Sequence, residues 1–180
     1  MGKPLIVWNE DELASLLEAC ADLPVIGIDG LKYAGKSRLT DRLGAKLGWQ
    51  VVHADDFIRF GARPYPEILD LPALSAAIQR PSLGPKLLDS ILLGTVLDAL
   101  SLAPAPFIYV RRRNPSGSLY DPGYYEHFDP EQMLAVAAEQ YLLAGANPDE
   151  PMLECELIQY HQRYDPANRA TAVFENVVSS

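Results

Sequence analysis

Short apolar runs rich in β-branched residues alternate along the chain with segments in which leucine recurs at helical spacing. The run Val25 to Ile28 predicts a buried strand. Leu39, Leu43 and Leu47 follow at positions i, i+4 and i+8 and predict the buried face of a helix. Similar runs predict later strands at Trp49 to His53, Leu87 to Leu93, Phe107 to Val110 and Arg169 to Phe174. With 180 residues, the chain is long enough for a single α/β domain with a real core.

Polar residues and glycines mark the ends of further helices. Asn9 and Glu12 have capping-box spacing, and Asp129-Pro130 opens another helix with a capping side chain and a first-turn proline. Gly48 and Gly145 are predicted to end the helices that precede them. Three weaker elements are an extended segment at Leu5 to Trp8, a short helix at Val96 to Leu102, and a last helix after Asn147-Pro148 with Leu153 and Leu157 facing inward.

Composition and charge argue against several classes of protein. Hydrophobic residues make up 48% of the sequence, too many for a disordered chain. The net charge of −9 argues against a nucleic-acid surface, which is normally basic, but not against a local phosphate site. No apolar run approaches the length of a membrane span, and the first residues become acidic too early for a signal peptide. Cys20 and Cys155 have no metal or redox spacing, so we expect a cytoplasmic protein without nucleic-acid or membrane partners.

The segment between the Val25 strand and the Leu39 helix carries the most specific motif. Four of its residues fit G-x-x-x-x-G-K-[ST], the phosphate-binding loop. Its glycines permit backbone conformations that a side chain forbids, so the loop amides and the helix N-terminus can bind an anion. Lys36 can reach the β- and γ-phosphates, and the Ser37 hydroxyl can ligate Mg²⁺. The sequence therefore predicts a nucleoside triphosphate site, whose candidate residues are Gly30, Leu31, Lys32, Tyr33, Ala34, Gly35, Lys36, Ser37 and Arg38.

Two adjacent carboxylates, Asp55 and Asp56, follow the predicted strand that ends at His53. Ligands of open α/β sheets lie beyond the strand C-termini, so one carboxylate is a candidate general base or Mg²⁺ ligand. Neighbouring side chains point in different directions, so we expect only one of them to face the cleft. A helix cap or a solvated turn is the alternative interpretation. The three histidines, His53, His127 and His161, have no ligand spacing and are interpreted as packing or surface residues.

Residues 58–86 and 111–129 are predicted to be an acceptor-side insertion and a lid-like loop. The first is rich in proline and holds Arg59, Arg63 and Arg80, with one short helix at Pro72 to Ile78. Its arginines either grip an anionic substrate or lie in water. The second begins with Arg111, Arg112 and Arg113 directly after a strand and continues with glycines and tyrosines. These three either surround phosphates or form a basic surface patch, and Arg111 is included among the nucleotide-binding candidates.

Three segments together resemble the uridine kinase-like branch of P-loop small-molecule kinases, a group with nicotinamide riboside kinases and phosphoribulokinases. They are Gly30 to Ser37, Asp55-Asp56-Phe57 and Arg169-Ala170-Thr171-Ala172-Val173, and the match in element order spans roughly Val25 to Val178. The resemblance implies a three-layer P-loop fold, with a five-stranded parallel sheet and helices on both faces. It also implies ATP and Mg²⁺ as cofactors, Asp55 as the residue that accepts or orients the acceptor proton, and Arg169 near the adenine.

The resemblance leads to a phosphotransferase hypothesis, in which the γ-phosphate of ATP passes to a hydroxyl of a small molecule. Lys36 and Asp55 are then catalytic, and Ser37 and Asp55 hold Mg²⁺. Many relatives have a carboxylate and a glycine after the third strand, where this chain has Leu93-Gly94. That expected loss of an acidic group favours an alternative, a regulatory nucleotide-binding module or a degenerate kinase. A simple NTPase is a third hypothesis, and the same missing acidic group counts against it.

Overall fold

A computed structural model of the chain describes residues 2–59, 64–102, 106–126, 128–145 and 152–177. Within these ranges six strands form one sheet: β1 (Leu5–Val7), β2 (Val25–Gly30), β3 (Gln50–His53), β4 (Lys86–Asp89), β5 (Phe107–Arg113) and β6 (Ala172–Val177). The strand order is β1-β6-β5-β2-β4-β3, and every pairing is parallel. The α/β class and the parallel sheet are confirmed, whereas the expected five strands are wrong by one.

The additional strand is β1, which the sequence identifies only as an extended segment. It has three residues and lies at the edge of the sheet, where Leu5 pairs with Ala172 of β6. Leu5 and Ile6 are exposed and only Val7 is buried. Such a short, half-solvated run lacks the apolar pattern of a central strand, so its pairing becomes evident only in the folded sheet.

The helices begin and end largely where their caps predict. They are α1 (Glu10–Glu18), α2 (Lys36–Leu47), α3 (Leu71–Gln79), α4 (Leu93–Ala99), α5 (Pro130–Leu143), α6 (Leu153–Tyr164) and α7 (Pro166–Arg169), with 3-10 turns at Ala54–Phe57 and Pro122–Tyr124. The Asn9 side chain accepts the Glu12 N–H at the start of α1, and Gly48 ends α2 in a left-handed conformation. Across the described ranges, every helix falls short of the length and apolar character that crossing a bilayer requires.

Two layers of helices bury the two faces of the sheet. On one face, leucines of α1 and α2 pack against Ile26 and Ile28 of β2. On the other face, α3, α4 and α6 pack over Val25 and Leu88. Because a parallel sheet is buried on both sides, its central strands are largely apolar. Among the buried charged residues of β2 and β4, Asp29 and Asp89 lie near the carboxyl ends, where they can serve a site, and Lys86 lies at the amino end of β4.

One boundary differs from the prediction because the apolar run crosses it. The strand expected at Leu87 to Leu93 is β4, which ends at Asp89, and α4 begins at Leu93. Leu92 lies between them with a φ of 54°. Leucines are buried in both the strand and the helix, so hydrophobicity does not separate the two elements. The last residue of the strand is therefore a buried aspartate, Asp89.

Two other boundaries differ from the prediction and change the elements to which the predicted site arginines belong. β5 continues to Arg113, so its three arginines belong to the strand and do not follow it. β6 begins at Ala172, so Arg169 is the last residue of α7. The parallel arrangement brings the carboxyl ends of β2, β3, β4 and β5 to one edge of the sheet. Binding sites of open α/β sheets lie at this edge.

Candidate active site

The loop between β2 and α2 is shaped by two glycines. Gly30 has a φ of +146°, and a Cβ at this position would lie 2.5 Å from the Val110 carbonyl oxygen of β5. Gly35 has a φ of +90°, and a Cβ there would lie 2.4 Å from Asn176 Nδ2. Both the backbone conformation and the close approach of neighbouring strands exclude a side chain. The loop can therefore follow the tight path that brings its amides to the N-terminus of α2.

Lys36 is the first residue of α2 and is held inside the loop. Its side chain is buried, and Nζ donates a hydrogen bond to the Leu31 carbonyl oxygen at 2.9 Å. Burial lowers the pKa of Lys36, while the negative charges of Asp29, Asp89 and Asp55 oppose that shift. The Lys36 ammonium thus lies in the field of three carboxylates from β2, β4 and the turn after β3, and its burial leaves it few contacts with water.

A cleft of about 870 Å³ opens beside this loop. Most of the predicted loop residues line it, namely Lys32, Tyr33, Gly35, Lys36, Ser37 and Arg38. Leu31 and Ala34 instead bury their side chains in the two cores and contribute only backbone groups to the loop. The Ala34 carbonyl accepts a hydrogen bond from Asn176 Nδ2 at 2.7 Å, which ties the loop to β6. Sequence reasoning did not include Asn176, because its role depends on the pairing of β6 with β5.

Asp55 and Asp56 lie on the 3-10 turn that follows β3, and only Asp55 lines the cleft. The Tyr65 hydroxyl lies 3.4 Å from Asp55 Oδ1 and 2.9 Å from Ser90 Oγ. Burial, with the charges of Asp55 and Asp89, raises the pKa of Tyr65, so the phenol stays neutral and can donate. Asp55 is therefore the carboxylate that faces the loop from the opposite wall of the cleft.

Asp89 corrects the expectation that the third predicted strand has no acidic residue at its end. It is the last residue of β4, is 4% exposed, and accepts a hydrogen bond from His53 Nδ1 at 2.6 Å. His53 Nε2 lies 3.1 Å from Asp41 Oδ1. Burial alone would lower the pKa of His53, but the bonds and charges of Asp89 and Asp41 raise it overall. His53 thus holds Asp89 in place. The sequence does contain a local indication of this acidic residue, because Asp89 directly follows two leucines of the strand and lies four residues before Leu93.

Arg112, and not Arg111, faces the cleft. Arg112 pairs in register with Asn176, and both line the cleft, whereas Arg111 pairs with Glu175 on the other face of the sheet. Arg112 Nη1 lies 3.4 Å from the Tyr33 carbonyl oxygen. Because side chains of a strand alternate between faces, extending β5 to residue 113 decides which arginine meets the loop.

Arg111 has a different set of contacts. Its guanidinium forms an ion pair with Glu175, whose side chain is fully buried and which also pairs with Arg113. It also lies 5.7 Å from the Tyr125 ring centroid. A separate cavity beside α6 contains Arg111 together with Tyr124, Tyr125 and His161. Arg111 is predicted at the nucleotide site, but it lines this separate cavity and not the cleft beside the glycine loop.

Arg169 is also far from the loop in this fold. It ends α7, just before β6 begins, at the amino end of the sheet, whereas the loop lies at the carboxyl end. It borders a second cavity with Phe107 and Thr171, and this cavity shares no lining residue with the cleft. Arg169 therefore lies at the opposite end of the sheet from the glycine loop, and its place beside the adenine stays a prediction.

The opposite wall of the cleft comes from the predicted acceptor-side segment, from the connection between β4 and α4, and from α6. Four apolar side chains lie there, Ile58, Ile68, Ile91 and Leu153, together with Tyr65 and Glu156. Glu156 Oε2 accepts the Tyr65 N–H at 2.8 Å, which joins α6 to the segment. Burial raises the pKa of Glu156. Sequence reasoning missed these residues, because α6 lies about 90 positions away along the chain.

The arginines of the acceptor-side segment lie outside the cleft or outside the described residues. Arg59 forms an ion pair with Asp70, the residue that caps α3. Arg80 is exposed at the end of α3. Arg63, like His127 of the lid-like segment, lies outside the described residues. Among the arginines of this segment that the structure describes, none lines the cleft.

The lid-like segment folds back on the protein in two parts. Leu119 bridges to Arg113 after a turn at Asn114, and the Tyr120 ring centroid lies 3.9 Å from the Arg112 guanidinium. The second part, the 3-10 turn Pro122–Tyr124, packs on α6, where the Tyr124 hydroxyl donates to Glu154 Oε1 at 2.7 Å. The segment therefore places one aromatic ring over the cleft arginine.

Neither protein-family models nor curated protein sequences match this chain. Among solved structures, a possible uridine kinase from Bacillus stearothermophilus aligns with a TM-score of 0.54 and 16% identity, covering 92% of this chain and 96% of that chain. A gluconokinase from Sinorhizobium meliloti 1021 aligns with a TM-score of 0.43 and 15% identity, over 86% and 82% of the two chains. The first likeness is one of fold, and it agrees with the P-loop kinase fold that the resemblance implied.

Proposed function

We propose that this protein transfers the γ-phosphoryl group of ATP, with Mg²⁺, to a hydroxyl group of a small molecule. The observation that carries this proposal is the cleft itself. One wall is the glycine loop with Lys36, and the other contains a carboxylate, Asp55, above an apolar pocket. Phosphoryl transfer depends mainly on positioning and on electrostatic stabilisation, and these two walls supply both.

The loop residues fit a triphosphate. The positions of Gly30 and Gly35 leave no room for side chains, so backbone amides form the surface that meets the anion. Lys36 exchanges its bond with the Leu31 carbonyl for phosphate oxygens. Arg112 and Arg38 add positive charge at the rim of the cleft. Oriented donors in a cleft with little water stabilise the charge of the transferring group.

Oxygen donors suited to Mg²⁺ surround the start of α2. The Ser37 hydroxyl lies in the cleft, with Asp55 opposite, and Asp89 lies close enough to influence the Lys36 ammonium. Hydroxyl and carboxylate oxygens are the protein ligands that Mg²⁺ prefers. The metal would neutralise charge on the phosphates; Ser37 and Asp55 would hold it, and Asp89, which is buried outside the lining of the cleft, would add negative charge behind them.

The acceptor would occupy the apolar part of the cleft. Ile58, Ile68 and Leu153 provide a surface for a hydrophobic body, and Glu156 is a hydrogen-bond acceptor for its polar groups. Asp55 lies between this pocket and the loop, where a carboxylate can orient the acceptor hydroxyl and take its proton. The Tyr65 hydroxyl, at 3.4 Å, helps to fix Asp55 in that position.

The position of Asp89 changes the balance between the hypotheses. The regulatory or degenerate alternative depended on a missing acidic group after the third predicted strand, and Asp89 occupies that position. The same residue removes the argument against a simple NTPase. Kinase and NTPase differ in whether ADP release requires a hydroxyl acceptor, so an acceptor screen separates them.

The decisive experiment is calorimetric titration of ATP with Mg²⁺, followed by an ADP-release screen over nucleosides, ribosides, sugars and vitamins. We expect the wild type to bind ATP and Lys36→Ala to lose binding. Lys46→Ala is the matched control, because Lys46 lies on the same helix and pairs with Asp11. ADP release that requires one class of acceptor supports the proposal. Binding without acceptor-dependent release favours the regulatory alternative, and no binding at all contradicts the nucleotide site.

A further inference from the structure

A second cavity of about 310 Å³ lies on the sheet face that α4 and α6 cover. Most of its wall is apolar and comes from Leu93, Leu97, Leu102, Pro106, Phe107 and Pro166. Ligand pockets of proteins span roughly 300 to 1,000 Å³, so this cavity has room for a molecule of about one ring. It has no lining residue in common with the cleft beside the glycine loop.

A buried carboxylate lies at the inner end of this cavity. Asp29 is 1% exposed; its Oδ1 accepts the Gly30 N–H at 2.7 Å, and its Oδ2 accepts the Tyr160 hydroxyl hydrogen at 2.5 Å. Among the described residues, no lysine or arginine forms an ion pair with Asp29. The Lys36 ammonium acts on Asp29 without forming an ion pair with it, so the buried carboxylate keeps much of the cost of losing its hydration. A bound cation would remove much of that cost.

The walls nearest Asp29 are aromatic. The rings of Tyr160 and Tyr164 lie with their centroids 4.8 Å apart and an interplanar angle of 33°, and Phe107 lines the same cavity. Aromatic faces attract cations and stack on planar groups. At the outer end, Asp98 accepts a hydrogen bond from the Tyr164 hydroxyl, and Arg169 is exposed. The cavity therefore has two carboxylates and one guanidinium on its wall.

We propose that this cavity is a binding site for a small planar cation, an aromatic amidine of one ring, whose charged nitrogen pairs with Asp29. The apolar wall excludes water from the ring, the tyrosines stack on it, and the buried carboxylate supplies the charge. An anionic ligand is disfavoured, since it would meet Asp29 and Asp98. The site does not depend on the proposed phosphotransfer and lies on the opposite face of the sheet from α1 and α2.

A ligand in this cavity can affect the glycine loop, because a residue that lines the cavity is adjacent in sequence to the loop. Asp29 immediately precedes Gly30 and holds its N–H. The helix that carries Tyr160 also carries Leu153 and Glu156, which line the cleft. A ligand that draws the Asp29 carboxylate away from Gly30 thus acts on the loop and on the acceptor wall together. Any coupling of this kind is reciprocal, so a nucleotide in the cleft would change affinity for the cation by the same factor.

The test uses benzamidine, a one-ring planar cation, with benzamide and benzoate as neutral and anionic molecules of nearly the same shape. Titrations into the ¹⁵N-labelled full chain are followed by amide chemical shifts. We expect saturable shifts from benzamidine at Gly94, Phe107 and Thr171, which border the cavity, and none from benzoate. Shifts confined to Gly35 and Ser37 would place the cation in the cleft and overturn the proposal, as would the absence of saturable binding.

Two variants test whether benzamidine binds in this cavity or at an acidic surface elsewhere on the protein. Leu102→Trp fills the cavity at a half-buried position away from the loop, and it should abolish the shifts. Leu142→Trp, at an exposed leucine of α5, is the matched control and should leave them unchanged. Asp29→Asn should weaken benzamidine by about tenfold or more, the effect of losing a charge-assisted hydrogen bond. Binding that survives Leu102→Trp contradicts the proposed location, even if Asp29→Asn fails to fold.

A third variant distinguishes this proposal from the proposed function. Lys36→Ala removes the ammonium group of the glycine loop but no group that lines the second cavity. Benzamidine should therefore bind Lys36→Ala and wild type within about threefold, whether or not ATP binds to either. Loss of benzamidine binding in a folded Lys36→Ala would show that the cation occupies the cleft, and would overturn the second site while leaving the nucleotide proposal intact.

Discussion

The Tyr160 hydroxyl of α6 donates a hydrogen bond to the Asp29 carboxylate near the end of β2. The oxygen of this Tyr160 hydroxyl also accepts a hydrogen bond from the Gly94 N–H of α4 at 3.0 Å. The phenol of Tyr160 thus connects α6 to β2 and to α4, next to the start of the glycine loop. The Asp29 carboxylate, in turn, holds the Gly30 N–H. Burial raises the pKa of Asp29 to about 6, although the bonds from Tyr160 and Gly30 and the charge of Lys36 act in the opposite direction.

The raised pKa of Asp29 makes stability depend on pH. The ordinary pKa of an aspartate is 3.8, so between that pH and about 6 the folded state keeps a proton that the unfolded state releases. This group therefore favours folding at low pH, and its contribution is lost as the pH rises through 6. At about 1.4 kcal/mol per pKa unit, the contribution is about 3 kcal/mol.

Asp29→Asn removes this titration. We expect the difference in unfolding free energy between wild type and Asp29→Asn to change by about 3 kcal/mol from pH 4 to pH 7, with the variant relatively more stable at pH 7. Urea unfolding of both proteins at several pH values measures it. Asp56→Asn, which changes an exposed carboxylate, is the control. A difference that stays constant across this range would contradict the buried, proton-binding state of Asp29.

Separate substitution of Asp55 and Asp56 by asparagine tests which carboxylate takes part in the reaction. Once an acceptor is known, Asp55→Asn should lower the turnover number roughly 10²- to 10⁴-fold, because the acceptor hydroxyl loses its proton acceptor. Asp56→Asn should remain close to wild type, because Asp56 does not line the cleft. Steady-state kinetics with saturating ATP gives both values. Equal losses in the two variants would show that the carboxylates act only through the stability of the turn.

Asp89 is expected to act through the metal. Asp89→Asn should raise the Mg²⁺ concentration for half-maximal activity and lower turnover by about tenfold or more, because removing one carboxylate near a metal site weakens it. The measurement is a Mg²⁺ titration of ADP release. Asp41→Asn is a matched control, since Asp41 also contacts His53 but lies on the exposed side of α2. If Asp41→Asn shifts the titration as much as Asp89→Asn, the effect comes from the orientation of His53.

The two neighbouring arginines of β5 should behave differently. Arg112→Ala should weaken ATP binding roughly tenfold, the effect of losing a charge-assisted contact to phosphate. Arg111→Ala should leave ATP affinity nearly unchanged but lower stability, because Glu175 is fully buried and loses one of its two arginine partners. Calorimetry and thermal unfolding of both variants separate these effects. A larger loss of affinity in Arg111→Ala would reverse the assignment of faces.

Local signals were sufficient for much of the fold. The strand–loop–helix unit from Val25 to Leu47 could be predicted because its glycines, lysine and leucines lie within one short segment. Capping at Asn9 and Asp129 likewise depends on side chains that contact amides two or three residues away. These features require no distant partner, so the sequence by itself determined the class of fold, the glycine loop and the starts of the capped helices α1 and α5.

Features that depend on pairing between strands were decided by the tertiary structure. β1 becomes a strand only through β6, and the end of β4 lies within an apolar run that gives no local boundary. A shift of one residue along β5 exchanges Arg111 for Arg112, because successive side chains point to opposite faces. The positions of Asn176 and Glu156 in the site follow from contacts between distant segments, which no local pattern encodes.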